Sequence, residues 1–134
     1  MPFGTATVLT NKGKAMAADR LRTTPATYTV AMKFLGLGTG ATGAARTAVA
    51  ADTALSTELG EGRATCTESV VTTSQTNDTT QFVGTVTATG TRAVDEAGLF
   101  DASTTGNMGL SATFAVVNLT NGDSLQITAK IQFT

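Results

Sequence analysis

The sequence predicts a mainly β domain, an antiparallel β-sandwich or barrel-like fold with one short N-terminal α-helix. Three observations predict it. The last third alternates apolar and polar residues with a period of two, the mark of strands with one buried face. Turn chemistry recurs between these runs at short, regular spacing, as in sandwiches and barrels. Threonine, which suits pleated half-exposed surfaces, occurs 29 times in 134 residues. That length fits a single domain over 1–134, able to bury roughly two thirds of its unfolded surface without disulfides or metal.

Residues 1–24 form an arm and the short helix. Thr10 or Asn11 can cap a helix running through Arg22, with Ala15, Ala18 and Leu21 toward the core. Thr23-Thr24-Pro25 ends it, because the residue before proline avoids the helical region. Tyr28 to Leu37 reads as a strand. Gly36 to Ala51 makes the body of a Gly/Ala/Thr-rich loop over 36–54, and Asp52 to Leu59 holds one helical turn.

Antiparallel strands then fill 63–134. Arg63 to Thr73 is a β-branched run, separated by a polar turn from Gln81 to Thr89, in which Phe82, Gly84, Val86 and Ala88 share a face. Arg92 to Phe100 follows, with Gly98 marking a bulge or a close backbone contact. After the polar loop Asp101 to Asn107, Met108, Leu110, Ala112, Phe114 and Val116 alternate with Gly109, Ser111, Thr113 and Ala115. Leu125, Ile127, Ala129, Ile131 and Phe133 alternate likewise with polar residues. Asn118 to Asp123, with Asn121-Gly122, predicts that these last two runs form a hairpin.

The composition excludes several chemistries. Histidine and tryptophan are absent and cysteine occurs once, so no Ser-His-Asp triad, His-based acid/base pair or His/Cys zinc site can be built. No catalytic residue, cofactor or metal is expected. Gly38-Thr39-Gly40-Ala41-Thr42-Gly43 fits G-x-G-x-x-G, but no apolar helix stripe and no parallel strand follow it. It reads instead as a flexible or partner-contacting loop. Asp95 and Glu96 are adjacent and point to opposite faces of a strand, so they are no paired acid/base site. Glu96 reads as a buried or interfacial carboxylate, bonded to an arginine such as Arg63 or to backbone N–H groups.

Charge is scarce and uneven. Charged residues make up 14% of the chain, against about 25% in a typical soluble domain. Residues 1–46 carry +5 and residues 47–134 carry −6. The basic front is expected to seat on an acidic protein surface or on the acidic part of a neighbouring copy; nucleic acid, which usually meets a denser basic patch, is not expected. There is no apolar run of membrane-spanning length, and Met1-Pro2-Phe3-Gly4 opens without signal-peptide features. Cys66 reads as a small, partly buried strand residue in a protein made in a reducing cytoplasm.

Several segments carry a family resemblance. They are Leu9-Thr10-Asn11-Lys12-Gly13-Lys14-Ala15, Leu37-Gly38-Thr39-Gly40, and Leu55 with Glu58 or Glu61 and Arg63. The most specific is Glu96-Ala97-Gly98-Leu99-Phe100-Asp101, followed by Leu110 to Phe114 and by Asn121-Gly122-Asp123-Ser124-Leu125 leading to Phe133. Together they resemble small virion structural proteins of tailed bacteriophages. The resemblance has two branches, capsid decoration (cement, head-associated) proteins and the N-terminal module of tail-collar and tail-fibre proteins. A chain ending at Thr134, directly after its last strand, favours the first.

The resemblance implies a non-enzymatic protein on the capsid exterior, made in the bacterial host cytoplasm. Its partner would be the major capsid protein, and it would be a homo-oligomer, with a trimer the natural symmetric form. Expected contacts are Phe3, Lys12, Lys14, Gly38, Gly40 and Gly43. Arg63, Glu96, Gly98, Phe100 and Asp101 are the structural motif, set in the subunit core or an intersubunit seam.

Overall fold

The computed structural model describes residues 6–21, 31–41 and 46–134. Two antiparallel sheets pack face to face around one main apolar core, so the fold is an open sandwich, and its helix is single among the described residues. The first sheet runs β1 (Ala6–Leu9), β8 (Met108–Leu119), β7 (Arg92–Phe100), β2 (Phe34–Thr39) and β3 (Thr57–Glu58), with β4 (Ala64–Thr65) also on β2. The second runs β5 (Thr67–Val71), β6 (Thr79–Thr87) and β9 (Ser124–Gln132). Helix α1 spans Asn11–Arg20. The part of the predicted Tyr28–Leu37 strand before Ala31 lies outside the described residues, as does the predicted helix end at Arg22.

The core forms because the alternating residues of both sheets face one another. Leu35, Leu37, Ala97, Leu99, Leu110, Ala112 and Phe114 come from the first sheet. Phe82, Val86, Leu125, Ile127 and Ala129 come from the second. The predicted run Arg63 to Thr73 divides at Cys66, where the chain passes from one sheet to the other. The Cys66 N–H donates to the Lys33 carbonyl at 2.7 Å, and its thiol is buried.

The predicted β8–β9 hairpin is absent. β8 pairs with β7, β9 pairs with β6, and the turn between β8 and β9 arches from one sheet to the other. The β6–β7 connection crosses at the same end. Gly122 N–H donates to the Ala88 carbonyl, and Ala88 N–H donates to the Asp123 carbonyl, both at 2.8 Å. The local chemistry is as expected, with Gly122 at φ +91° and Asp123 Oδ2 accepting from Thr120 N–H. Such a turn closes an arch as readily as a hairpin. Leu119 and Leu125, buried on either side of it, take the arch so that both reach the core.

Gly98 marks a close contact, not a bulge: a Cβ there would meet Met108 Sδ at 2.7 Å. The register breaks elsewhere, at Asp95 and at Gly109, which is left over between the pairs Leu99–Leu110 and Phe100–Met108. The extra residue turns Met108 to the outer face, where it joins Leu55 and Phe100 in a small second cluster.

Helix α1 is capped by Thr10, whose hydroxyl accepts from Gly13 N–H at 3.0 Å and donates to the Met108 carbonyl. The expected core face is corrected. Gly13, Met16 and Asp19 are buried, whereas Ala15 and Ala18 are exposed and Leu21 is 87% exposed. Close approach decides this. A Cβ on Gly13 would lie 2.1 Å from the Gly109 carbonyl oxygen, so only glycine lets the helix touch the β8 backbone.

Two further expectations change. Gly36 to Thr39 is strand, held between β7 and β3, and not the start of a loop. No helical turn forms between Asp52 and Leu59; Thr57–Glu58 is strand β3.

Candidate functional site: the outer face of the first sheet

The outer face of β2 and β7 is cut low by glycines. Register places Gly36 opposite Gly98 and Gly38 opposite Glu96, while Thr113 of β8 stands opposite Glu96 from the other side. Other chain segments settle into this shallow floor. A Cβ on Gly38 would meet Glu96 Oε1 at 2.6 Å and the Thr57 carbonyl at 2.8 Å, so β3 lies on the sheet only because that residue is glycine. The strands are therefore buried on both faces, and Gly109, Ser111 and Thr113 are covered, not exposed.

Arg63 is the centre of this face. Its guanidinium lies over the Phe100 ring, 3.4 Å from the centroid. Nε donates to Glu58 Oε1 at 2.7 Å and Nη2 to Glu58 Oε2 at 3.0 Å, a two-pronged ion pair. Nη1 donates to the carbonyls of Ala102 at 2.8 Å and Thr105 at 2.6 Å. Asp101 closes the same loop, accepting from Asn107 N–H at 2.7 Å and Asn107 Nδ2 at 2.8 Å. Arg63, Phe100 and Asp101 thus share one knot with Glu58, and Gly98 lies in its floor. Of the two acids left open by spacing, Glu58 is the partner of Arg63.

Glu61 serves another contact. It pairs with Arg92 at 2.8 Å and accepts from Thr89 N–H at 3.1 Å and Thr89 Oγ1 at 3.0 Å. The Thr89 N–H, followed by the Arg92 guanidinium, lowers its pKa from 4.5 to about 2. Glu96 is fully buried and takes the backbone option, not Arg63: Oε1 accepts from Thr57 N–H at 3.0 Å. Its Oε2 and the hydroxyl of Thr113 have no hydrogen-bond partner among the described residues.

Further along the face, Asp52 Oδ2 accepts from Ser111 Oγ at 2.8 Å and Val49 N–H at 3.0 Å, and pairs with Arg46 at 3.2 Å. Asp95 Oδ1 accepts from Ala41 N–H at 3.1 Å. In the second sheet Asp78 accepts three backbone N–H groups, from Thr73, Ser74 and Gln75, which hold its carboxyl far below the usual carboxylate range, Gln75 most strongly. Most carboxylates of the rear of the chain are thus engaged by N–H groups and arginines, Asp95 and Glu96 in the interior and Glu58 and Asp123 at the surface. Among these carboxylates, Glu68 on β5 is the exposed one that accepts no hydrogen bond described here.

The expected contact residues separate. Lys12 and Lys14 are exposed on α1, and Gly40 is exposed at φ +101°. Gly38 is a correction: it is buried in a central strand beneath Thr57 and cannot touch a partner. It also faces Glu96 and Glu58 across the ladder, which opposes a phosphate there. Phe3 and Gly43 lie outside the described residues.

Concavities are also present among the described residues. A cavity of about 380 Å³ lies between the start of α1 and residues 50–53. Another of about 310 Å³ lies beside β5, lined by Ala31, Val70 and Phe82 among others. Among the described residues no group of three His, Cys, Asp or Glu is placed to hold a metal ion, and no helix is long and apolar enough to cross a membrane. Sequence reasoning missed the Gly13 contact and the small second core cluster; the glycine at helix position three was the available signal. No family model, curated protein or solved structure matches the chain.

Proposed function

We propose that the chain is a capsid decoration protein of a tailed bacteriophage. On this reading it binds the exterior of the assembled, expanded shell and locks neighbouring major capsid subunits, as a homo-oligomer for which a trimer is the symmetric choice. The observation that carries the reading is convergence. Residues that carry the family resemblance, dispersed between Glu58 and Asp101, meet in one knot around Arg63, whose own side chain is 6% exposed. A knot of this kind stiffens a scaffold, which suits a part whose work is to hold its shape between subunits.

The mechanism is linkage. A protein that binds only the assembled lattice stabilises it by the free energy of that binding, growing with RT ln(1 + [L]/Kd). The test mixes purified protein with expanded shells lacking decoration. Co-sedimentation and a raised shell melting temperature are expected, with a virion copy number near that of the major capsid protein. Failure of both would end the reading, and a copy number in the tens would assign the chain to the tail instead.

A further inference from the structure

We propose that the exposed face of α1, together with the 49–53 turn, is the docking surface, and that its occupant is an acidic segment of a different protein. This rests on the shell-binding reading and says which surface carries it.

The surface is built in advance. Asn11 N–H donates to the Ala50 carbonyl at 2.7 Å, tying the helix start to the turn, and Asp52 fixes the turn through Val49 N–H. Between them lies the cavity of about 380 Å³, walled by Lys12, Ala15, Ala50 and Ala51. A rigid concavity loses little entropy when filled. The wall is apolar where solvent-facing residues are usually polar, through Ala15, Ala50 and Ala51; outside it, Val49 beside the turn is 50% exposed, and Leu21 at the far end of α1 is 87% exposed.

Charge selects the occupant. Lys12 and Lys14 stand exposed on the same helix, and the one carboxylate in the cavity wall, Asp52, is already bound to Arg46, Ser111 and Val49. The surface therefore presents ammonium groups beside apolar relief, which complements carboxylates set among small apolar side chains. A second copy of this chain is the competing occupant, since its Glu58, Glu68 and Asp123 are exposed; coupling of Lys12 or Lys14 to one of these, in place of a carboxylate of the shell protein, would overturn the assignment.

The test uses the full chain and decoration-free expanded shells, comparing Lys12→Glu/Lys14→Glu, Leu21→Glu and the control Lys130→Glu on β9. Acidic residues suit the first turn of a helix, so the double variant keeps its fold, checked by an unchanged melting temperature. The double variant is expected to lower shell affinity by about tenfold or more at low salt, Leu21→Glu to lower it too, and Lys130→Glu to leave it unchanged. Zero-length carbodiimide coupling should join Lys12 or Lys14 to a carboxylate of the shell protein.

If the wild type binds and the double variant binds equally well, the surface is wrong while the shell-binding reading stands. If the wild type itself stays in the supernatant, that reading falls and this inference with it. Retention of the wild type on double-stranded DNA, lost in the double variant, would assign the surface to nucleic acid and overturn the acidic-protein occupant.

Discussion

Arg63 and Phe100, 37 positions apart in the sequence, meet with the guanidinium carbon 3.4 Å from the ring centroid, and this contact joins three otherwise separate segments. The guanidinium ties β3 through Glu58 and the 101–106 loop through two carbonyls, while the ring roots it on β7. The Arg63 side chain is 6% exposed although Glu58 is 35% exposed, so its removal uncovers the Phe100 ring while water reaches the acid.

Arg63→Ala is therefore expected to cost about 1–3 kcal/mol, chiefly because two carbonyls lose their donor and the Phe100 ring its cover, the half-exposed Glu58 being resolvated by water. Arg63→Lys should recover only part of this, since a single ammonium can neither fork onto Glu58 nor stack on the ring. Urea unfolding midpoints of the three proteins check the order.

Gly13→Ala separates two opposed effects. Helix propensity alone predicts a gain of about 1 kcal/mol. The Cβ, however, would sit 2.1 Å from the Gly109 carbonyl oxygen, and forcing α1 off β8 costs about 1–3 kcal/mol or more. A lowered melting temperature is expected; a raised one would mean that α1 does not touch β8.

Glu61 makes stability depend on pH. Its carboxyl is lowered from 4.5 to about 2, so the folded state holds the charged form more strongly than the unfolded state does. The contribution is fully present above pH 4.5 and is lost as pH falls through about 2. Glu61→Gln should lose stability at pH 7 and show a smaller decline between pH 5 and 2.5, measured by thermal unfolding across that range.

Thr113→Val removes a fully buried hydroxyl that has no hydrogen-bond partner among the described residues and stands opposite Glu96. An unsatisfied buried hydroxyl contributes no net hydrogen bond, so the change is expected to be neutral or stabilising by up to about 1 kcal/mol. A loss above that size, read from denaturant unfolding, would show that a bound water bridges Thr113 to Glu96 Oε2.

From the sequence alone the strands of the rear of the chain were legible, but not β1, β3 or the second half of β2, and little of the strands' partnership. Arg92 to Phe100 is β7 end to end, and the alternation from Leu125 marks the buried face of β9, because side-chain period is a local property of pleated backbone. The Thr10 cap, the β-sandwich class and the inward Glu96 were legible for the same local reasons. Tertiary structure decided the rest. The turn at 120–123 fits a hairpin or an arch, and only competition for core area sends β9 to β6. Gly36, Gly38, Ser111 and Thr113 look solvent-facing because small and polar residues do, yet their lack of bulk is what lets β3, α1 and the 46–56 segment cover them. Helix α1 has one large buried apolar side chain, Met16, too few for periodicity to choose its inner face, so backbone contact at Gly13 chooses it and leaves Ala15, Ala18 and Leu21 outside. The split of charge was visible in the chain, but its use was not: folding tied most carboxylates of the rear to backbone N–H groups and arginines, burying Asp95 and Glu96 and leaving Glu58, Glu68 and Asp123 exposed, with Lys12 and Lys14 of the front also on the surface.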